Sequence, residues 1–284
     1  FAQLAFASNE PVLFHSLNNF KHPESVLVEK NDLWISDMGQ DPSEVENADG
    51  HLSKYNLSGN VDPNFTLKTK LNSPMGMAIV QDVIYLADVN RVVGVNKVTG
   101  ELAQAFDLSF SGTTFLNDIV AIDDQYLIVT ATDIKKIYLI TLGDNKIEEL
   151  DIDFHGYAPN GIFYEKQTKL LYFAANSKHG LGKEGNGKVL KYLFDNKKAI
   201  FQSEVSIGIF LDGVFVKDDL LVISDWQTVG NDGKLYLLEK ENLALNKVID
   251  LKTSGLADID YSDDQKVLVT PDFIQGVVRF YKFF

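Results

Sequence analysis

The chain has 284 residues, a length that fits two domains or one large all-β fold, and its 45% hydrophobic and 23% charged side chains give ample material for a core. Its 40 acidic and 26 basic residues give a formal net charge of −14, spread along the chain with no basic cluster of the kind a phosphate backbone selects, so nucleic acid is excluded as an expected partner. The absence of cysteine excludes disulfide frameworks, thiolate zinc sites and cysteine nucleophiles, and no apolar run reaches the ~20 residues of a membrane helix.

The opening "FAQLAFASNE" starts at Phe1, as the remainder of a cleaved signal peptide or the edge of a fragment would. With no cysteine to protect, a periplasmic or secreted location is expected ahead of a cytoplasmic one. Asn56-Leu57-Ser58 and Asn64-Phe65-Thr66 match the glycosylation pattern, which matters only in a eukaryotic secretory source. "PVLFHSL" (11–17) is a strand with no early partner.

Six segments then share one pattern, a polar or Gly-containing entry, a first apolar run, a polar turn and a second run rich in Val, Ile, Leu, Tyr and Phe. They read "PESVLVEKNDLWISD" (23–37), "PMGMAIVQDVIYLAD" (74–88), "LNDIVAIDDQYLIVT" (116–130), "PNGIFYEKQTKLLYFA" (159–174), "LDGVFVKDDLLVISD" (211–225) and "LADIDYSDDQKVLVT" (256–270). Each is a β-hairpin followed by two weaker strands, such as "GHLSKYNL" then "FTLKTK", or "GKLYLLEK" then "LNKVIDL". Four strands at a period of roughly 40–50 residues, with no sustained helical periodicity, is the signature of a propeller blade. The expected fold is all-β: a single six-bladed β-propeller domain over 1–284, with four-stranded antiparallel blades around a central channel. The strand at 11–17 is expected to pair with the C-terminal "GVVRFYKFF" and close the ring, removing an open edge.

The second residue of each unit enters the channel-lining strand, so Glu24, Met75, Asn117, Asn160, Asp212 and Ala257 ring one mouth. Four of them offer side-chain oxygens and none is basic. Two carboxylates and two amides converging without a cation call for a hard metal that takes oxygen ligands, Ca²⁺ first, with Mg, Mn or Zn as alternatives. A second reading stays open. Asn-Gly is a strong signal for a tight turn with positive φ, Asp-Gly is common where loops enter strands, and water fills many channel mouths. In the first reading Gly161 supplies the sharp entry while Asn160 faces the channel.

The ring order Glu, Asn, Asn, Asp on blades 1, 3, 4 and 5 resembles the senescence marker protein/gluconolactonase/luciferin-regenerating enzyme family, over essentially the whole chain. The "PE" entry carries Glu24, "ND" carries Asn117, "NG" carries Asn160 and "DG" carries Asp212. The resemblance implies that Glu24, Asn160 and Asp212 bind a divalent metal directly, that Asn117 lies beside it on metal or substrate, and that Asp212 is also the candidate general base. Sugar-lactone members often carry an Arg two residues before the blade-3 Asn. Phe115 stands there, which points to a less polar substrate or to no catalysis.

The exit loops of the second strands overhang the ring and are long in blade 1 (38–50), blade 4 (176–187) and blade 5 (226–233). Trp226 and His179 are candidate pocket walls there. His155, in "FHGYAPNG", is a candidate proton shuttle similar to the histidine of paraoxonase-type propellers, or a solvated loop residue. Asp37, Asp88 and Asp225 close their hairpins at equivalent places and read as turn caps. The acidic loop Asp41, Glu44, Glu46, Asp49 lacks the spacing and turn glycine of an EF-hand. Two classes of function remain. One is a calcium-dependent hydrolase of a lactone or related ester, acting on a small-molecule substrate at no membrane. The other is a non-catalytic propeller, similar to NHL-type repeats, that binds a ligand or protein. Oligomeric state, monomer or dimer, is left open.

Overall fold

The computed structural model describes residues 10–43, 45–177, 186–227, 230 and 232–284. Strand β1 (Val12–Leu17) precedes blade 1, which holds β2 (Pro23–Glu29), β3 (Asp32–Asp37) and β4 (His51–Asn56). Blade 2 holds β5 (Pro74–Val80), β6 (Val83–Asp88), β7 (Arg91–Asn96) and β8 (Leu102–Asp107). Blade 3 follows with β9 (Leu116–Ala121), β10 (Tyr126–Ala131), β11 (Lys136–Thr141) and β12 (Lys146–Glu149). In blade 4 are β13 (Ala158–Glu165), β14 (Leu170–Asn176), β15 (Gly187–Asp195) and β16 (Lys198–Ile207). Blade 5 is β17 (Leu211–Lys217), β18 (Leu220–Asp225), β19 (Lys234–Glu239) and β20 (Leu245–Asp250), and blade 6 is β21 (Asp260–Ser262), β22 (Val267–Asp272) and β23 (Val277–Lys282). Strands within every blade run antiparallel in chain order.

The innermost strands touch in a cycle, β2 to β5, β9, β13, β17, β21 and back to β2. Strand β1 adds antiparallel to β23, from Val12 opposite Lys282 to Leu17 opposite Val278, so the first strand completes the last blade as the sequence leads one to expect. The core sits between blades. Along β14, Leu171, Phe173 and Ala175 pack toward blade 3, while Tyr172 and Ala174 pack toward blade 5. A strand whose alternate residues are buried on opposite faces reads as one continuous apolar run, which is why the second strands stood out in the sequence.

Two expectations are corrected. Blade 1 has three strands, because "FTLKTK" (65–70) leaves the sheet: Pro63 has no N–H to give, Phe65 packs edge-on to Trp34 at 4.8 Å between centroids, and Lys68 N–H donates to Gly100 O of blade 2 at 2.9 Å. Asn160-Gly161 is no turn either, since β13 continues through it and Gly161 avoids the left-handed region. Left-handed residues of the tight hairpins are Lys30, Gln81 and Asp218, at the opposite ends of their strands. Gly161 is required for space: a Cβ there would lie 2.0 Å from the carbonyl oxygen of Asp212.

Candidate metal centre at the channel mouth

All six ring positions are buried, five of them inside the innermost strands and Ala257 just before β21. In blades 1 to 5 the pairing with the second strand slips at the ring residue, for instance between Pro159 and Ile162 and between Leu211 and Val214. Such a bulge leaves one residue unpaired and re-aims its side chain. Hydroxyls on the second strands hold the bulges. Ser36, Thr130 and Ser224 accept the freed N–H of Ser25, Asp118 and Gly213 at 3.1, 2.9 and 2.7 Å. Thr130 also donates to Asn160 O, and Ser224 to Ala257 O, both at 2.8 Å, tying each bulge to the ring residue of a neighbouring blade. These three were not singled out from the sequence. Their signal is the repeated Ser or Thr near the end of the second strand, in "WISD", "IVTA" and "VISD".

Three ring oxygens, Glu24 Oε2, Asn160 Oδ1 and Asp212 Oδ1, are buried and accept no hydrogen bond. The amide nitrogen of Asn160 donates to Leu211 O at 2.9 Å, which leaves the oxygen as the free end. Buried acceptors without a donor are costly, and three at equivalent positions on innermost strands β2, β13 and β17, all facing one channel mouth, are a donor set that a hard cation fits. Among the described residues no three His, Cys, Asp or Glu side chains form a metal cluster by themselves, so a metal here depends on the Asn160 amide completing the two carboxylates. Asn117 is buried beside them, with its amide nitrogen 3.7 Å from Met75 Sδ.

Burial pushes the Glu24 carboxyl well up, and Asp212, Asp258 and Asp118 push it further. Asp212 is raised by burial and then by Asp258 and Asp225. Asp118 and Asp258, one residue beyond the ring, form a second acidic tier that pattern reading missed. Burial lifts Asp118 to about 7 against hydrogen bonds from the Ile162 and Ile119 N–H groups, and it raises Asp258 along with the charge of Asp118. Asp118 bridges to Ile162 N–H of blade 4 at 2.7 Å, and Asp258 accepts from Ser25 Oγ of blade 1 at 2.6 Å. Both line a cavity of about 210 Å³ along the channel, with Asp260, which burial raises to about 6. No Lys or Arg lines it.

Other candidates are placed differently. Nδ1 of His155 pairs with Glu204 Oε2 at 2.6 Å, and Lys188 Nζ reaches the other oxygen of Glu204 at 2.5 Å. Glu204 is on β16, three strands out from β13, roughly 14 Å at ~4.8 Å per strand, so His155 is held at the blade rim and is not brought to the ring. Trp226 is half-buried between Phe210 and Phe273, at 6.3 and 5.1 Å between ring centroids, on the mouth side of blades 5 and 6. Phe115 is half-buried, and its carbonyl accepts Thr132 N–H. His179 and Glu44 lie outside the described residues. Asp41 and Asp49 spend their oxygens on Ser43 and Gln40 of their own loop. Asp37, Asp88 and Asp225 accept backbone N–H groups from the loop that enters their own blade, the capping role expected of them.

No protein-family model matches the chain, and no curated protein sequence matches it. Among solved structures it is similar to the β-propeller domain of Cps50 (Swd1) from Myceliophteria thermophila, at 8% identity and a TM-score of 0.62, over 96% of this chain and 99% of that one. At that identity the likeness speaks for the fold alone: the chain is a six-bladed β-propeller.

Proposed function

We propose that the channel mouth binds a divalent cation, calcium first, through Glu24, Asn160 and Asp212, and that the site hydrolyses a lactone or related ester. The observation that carries this reading is the set of three buried, unpartnered oxygens at the ring positions of β2, β13 and β17. It agrees with the resemblance to the senescence marker protein/gluconolactonase/luciferin-regenerating enzyme family drawn from the same residues. When bound, the cation supplies polarisation of a carbonyl oxygen and stabilisation of the charge that develops on it. Asp212 is the candidate to take a proton from attacking water, a role that direct ligation of the cation would weaken by lowering its basicity. Asn117 is the adjoining polar contact for substrate, with Phe115 and Trp226 as apolar walls. The lack of a basic side chain on the ring argues against an anionic sugar acid as substrate.

A second reading, a non-catalytic propeller that binds a small ligand or protein partner, is favoured by the placement of His155 on Glu204, which takes the candidate proton shuttle away from the ring. Calcium titration with elemental analysis of wild type against Asp212→Ala tests the metal. Wild type is expected to bind one ion and to melt higher with calcium, and Asp212→Ala to lose both effects. A wild type that binds no divalent ion at millimolar calcium ends the metal reading. A panel of lactones and aryl esters then separates the classes: turnover lost in Asp212→Ala supports the hydrolase, and equally slow turnover in both proteins supports the binding module.

A further inference from the structure

The residue that ends the second strand has the same task in four blades. Asp37, Asp88, Asp225 and Asp272 accept backbone N–H groups from the loop entering their own blade. Blade 4 breaks this symmetry with Asn176, which is buried and turns to the next blade. Leu211 N–H donates to Asn176 Oδ1 at 2.7 Å, and Asn176 Nδ2 donates to Leu211 O at 2.7 Å. Only an amide accepts from an N–H and donates to a C=O in one plane; an ionised Asp, as in the other blades, only accepts. The same Leu211 carbonyl takes the Asn160 amide nitrogen. Leu211 is the residue immediately before Asp212. Gly187 clears the way for this close approach, since a Cβ there would meet Leu211 Cγ at 2.4 Å.

We propose that Asn176 is a positioning residue for the channel-mouth cation site. It fixes both polar groups of Leu211, and so the peptide that presents Asp212 and the carbonyl that orients Asn160, leaving their free oxygens aimed at one ion. The proposal rests on the divalent-cation reading above. Groups that hold metal ligands from outside the first shell commonly change affinity by about 10- to 100-fold when altered.

The test is calorimetric calcium titration with parallel melting of wild type, Asn176→Asp, Asn176→Ala and, as a cap that serves a non-ligand blade, Asp88→Asn. Both Asn176 variants are expected to bind calcium about 10- to 100-fold more weakly. Asp88→Asn is expected to lower Tm and leave Kd unchanged. Asn176→Asp sets the sign: it keeps the acceptor for Leu211 N–H, loses the donor to Leu211 O and adds a negative charge. If it binds calcium as tightly as wild type or tighter, positioning is overturned in favour of charge alone. If both Asn176 variants lower Tm without moving Kd, the residue is only a staple between blades. If wild type binds no calcium, the cation reading fails and takes the proposal with it, whereas the other two failures leave that reading standing.

Discussion

The Asn160 amide nitrogen is committed to the Leu211 carbonyl, so its oxygen is left over beside Glu24 Oε2 and Asp212 Oδ1. Around these atoms the channel concentrates carboxyls whose protonated form is favoured by burial and by one another. Asp260 is raised to about 6 and Asp118 to about 7, and Glu24, Asp212 and Asp258 are shifted the same way. Unfolded carboxyls titrate near ~4. Between that value and the raised ones the folded protein holds more protons than the unfolded chain, so stability falls as pH rises. Metal-free protein melted in chelator from about pH 4 to about pH 8 is therefore expected to lose Tm most steeply between about pH 5 and pH 7. Calcium is expected to restore Tm at the upper end. A metal-free Tm that climbs through that window would show that the acids are compensated in some other way.

Strands and turns carry the next level of the design. In blades 1 to 5 the inner strand bulges at its ring residue, and in blades 2, 4 and 5 glycine lets that bulge lie against the neighbouring blade. Gly161 faces the Asp212 carbonyl, Gly213 the Asp258 side chain and Gly76 the Asp118 backbone, all at separations that a Cβ would violate. Gly161→Ala is expected to cost about 1–3 kcal/mol, the usual range for overpacking, and to weaken calcium binding because the clash pushes on Asp212. Gly143, with nothing within 4 Å of a built Cβ, is the control, and Gly143→Ala is expected to be neutral or slightly stabilising. Denaturant melts of both variants, with equal losses from both, would remove the steric account. The missing fourth strand of blade 1 belongs to the same level, where packing of Phe65 on Trp34 outweighed a sequence pattern that suited a strand.

Across the whole molecule, stability depends on ring closure. The six apolar clusters each lie between two blades, and the one joining blades 6 and 1 contains Val26, Ile35, Val269 and Phe280. Strand β1 covers the outer edge of β23 and ties the two ends of the chain together. Removing residues 1–19 is expected to expose that edge, lower Tm and produce concentration-dependent aggregation, because an unpaired strand edge is a template for another chain. Melting and size-exclusion chromatography of the truncated protein check this, and a monomer with wild-type Tm would show that the other strands of blade 6 suffice.

The six hairpins, their order and the identity of the ring residues were legible in the linear chain, because strand patterning and turn residues act over a few neighbours and the blade repeats them. The pairing of the chain ends was legible for a related reason, since a lone strand at each end needs a partner. What pattern reading missed are relations between blades. Asn160-Gly161 carries a turn signal in the linear chain, whereas the need for Gly161 lies in the Asp212 carbonyl that stands where its Cβ would sit. His155 lies five residues before Asn160 in the chain, yet Glu204 on the outermost strand holds it at the rim. Asn176 stands where other blades carry a capping Asp, and Leu211 of the next blade meets both ends of its amide. The sequence by itself determined the six hairpins, their order and the chemical character of the ring. Only the tertiary structure decided which oxygens stay free, because that depends on partners that lie on adjacent blades and far apart in the chain.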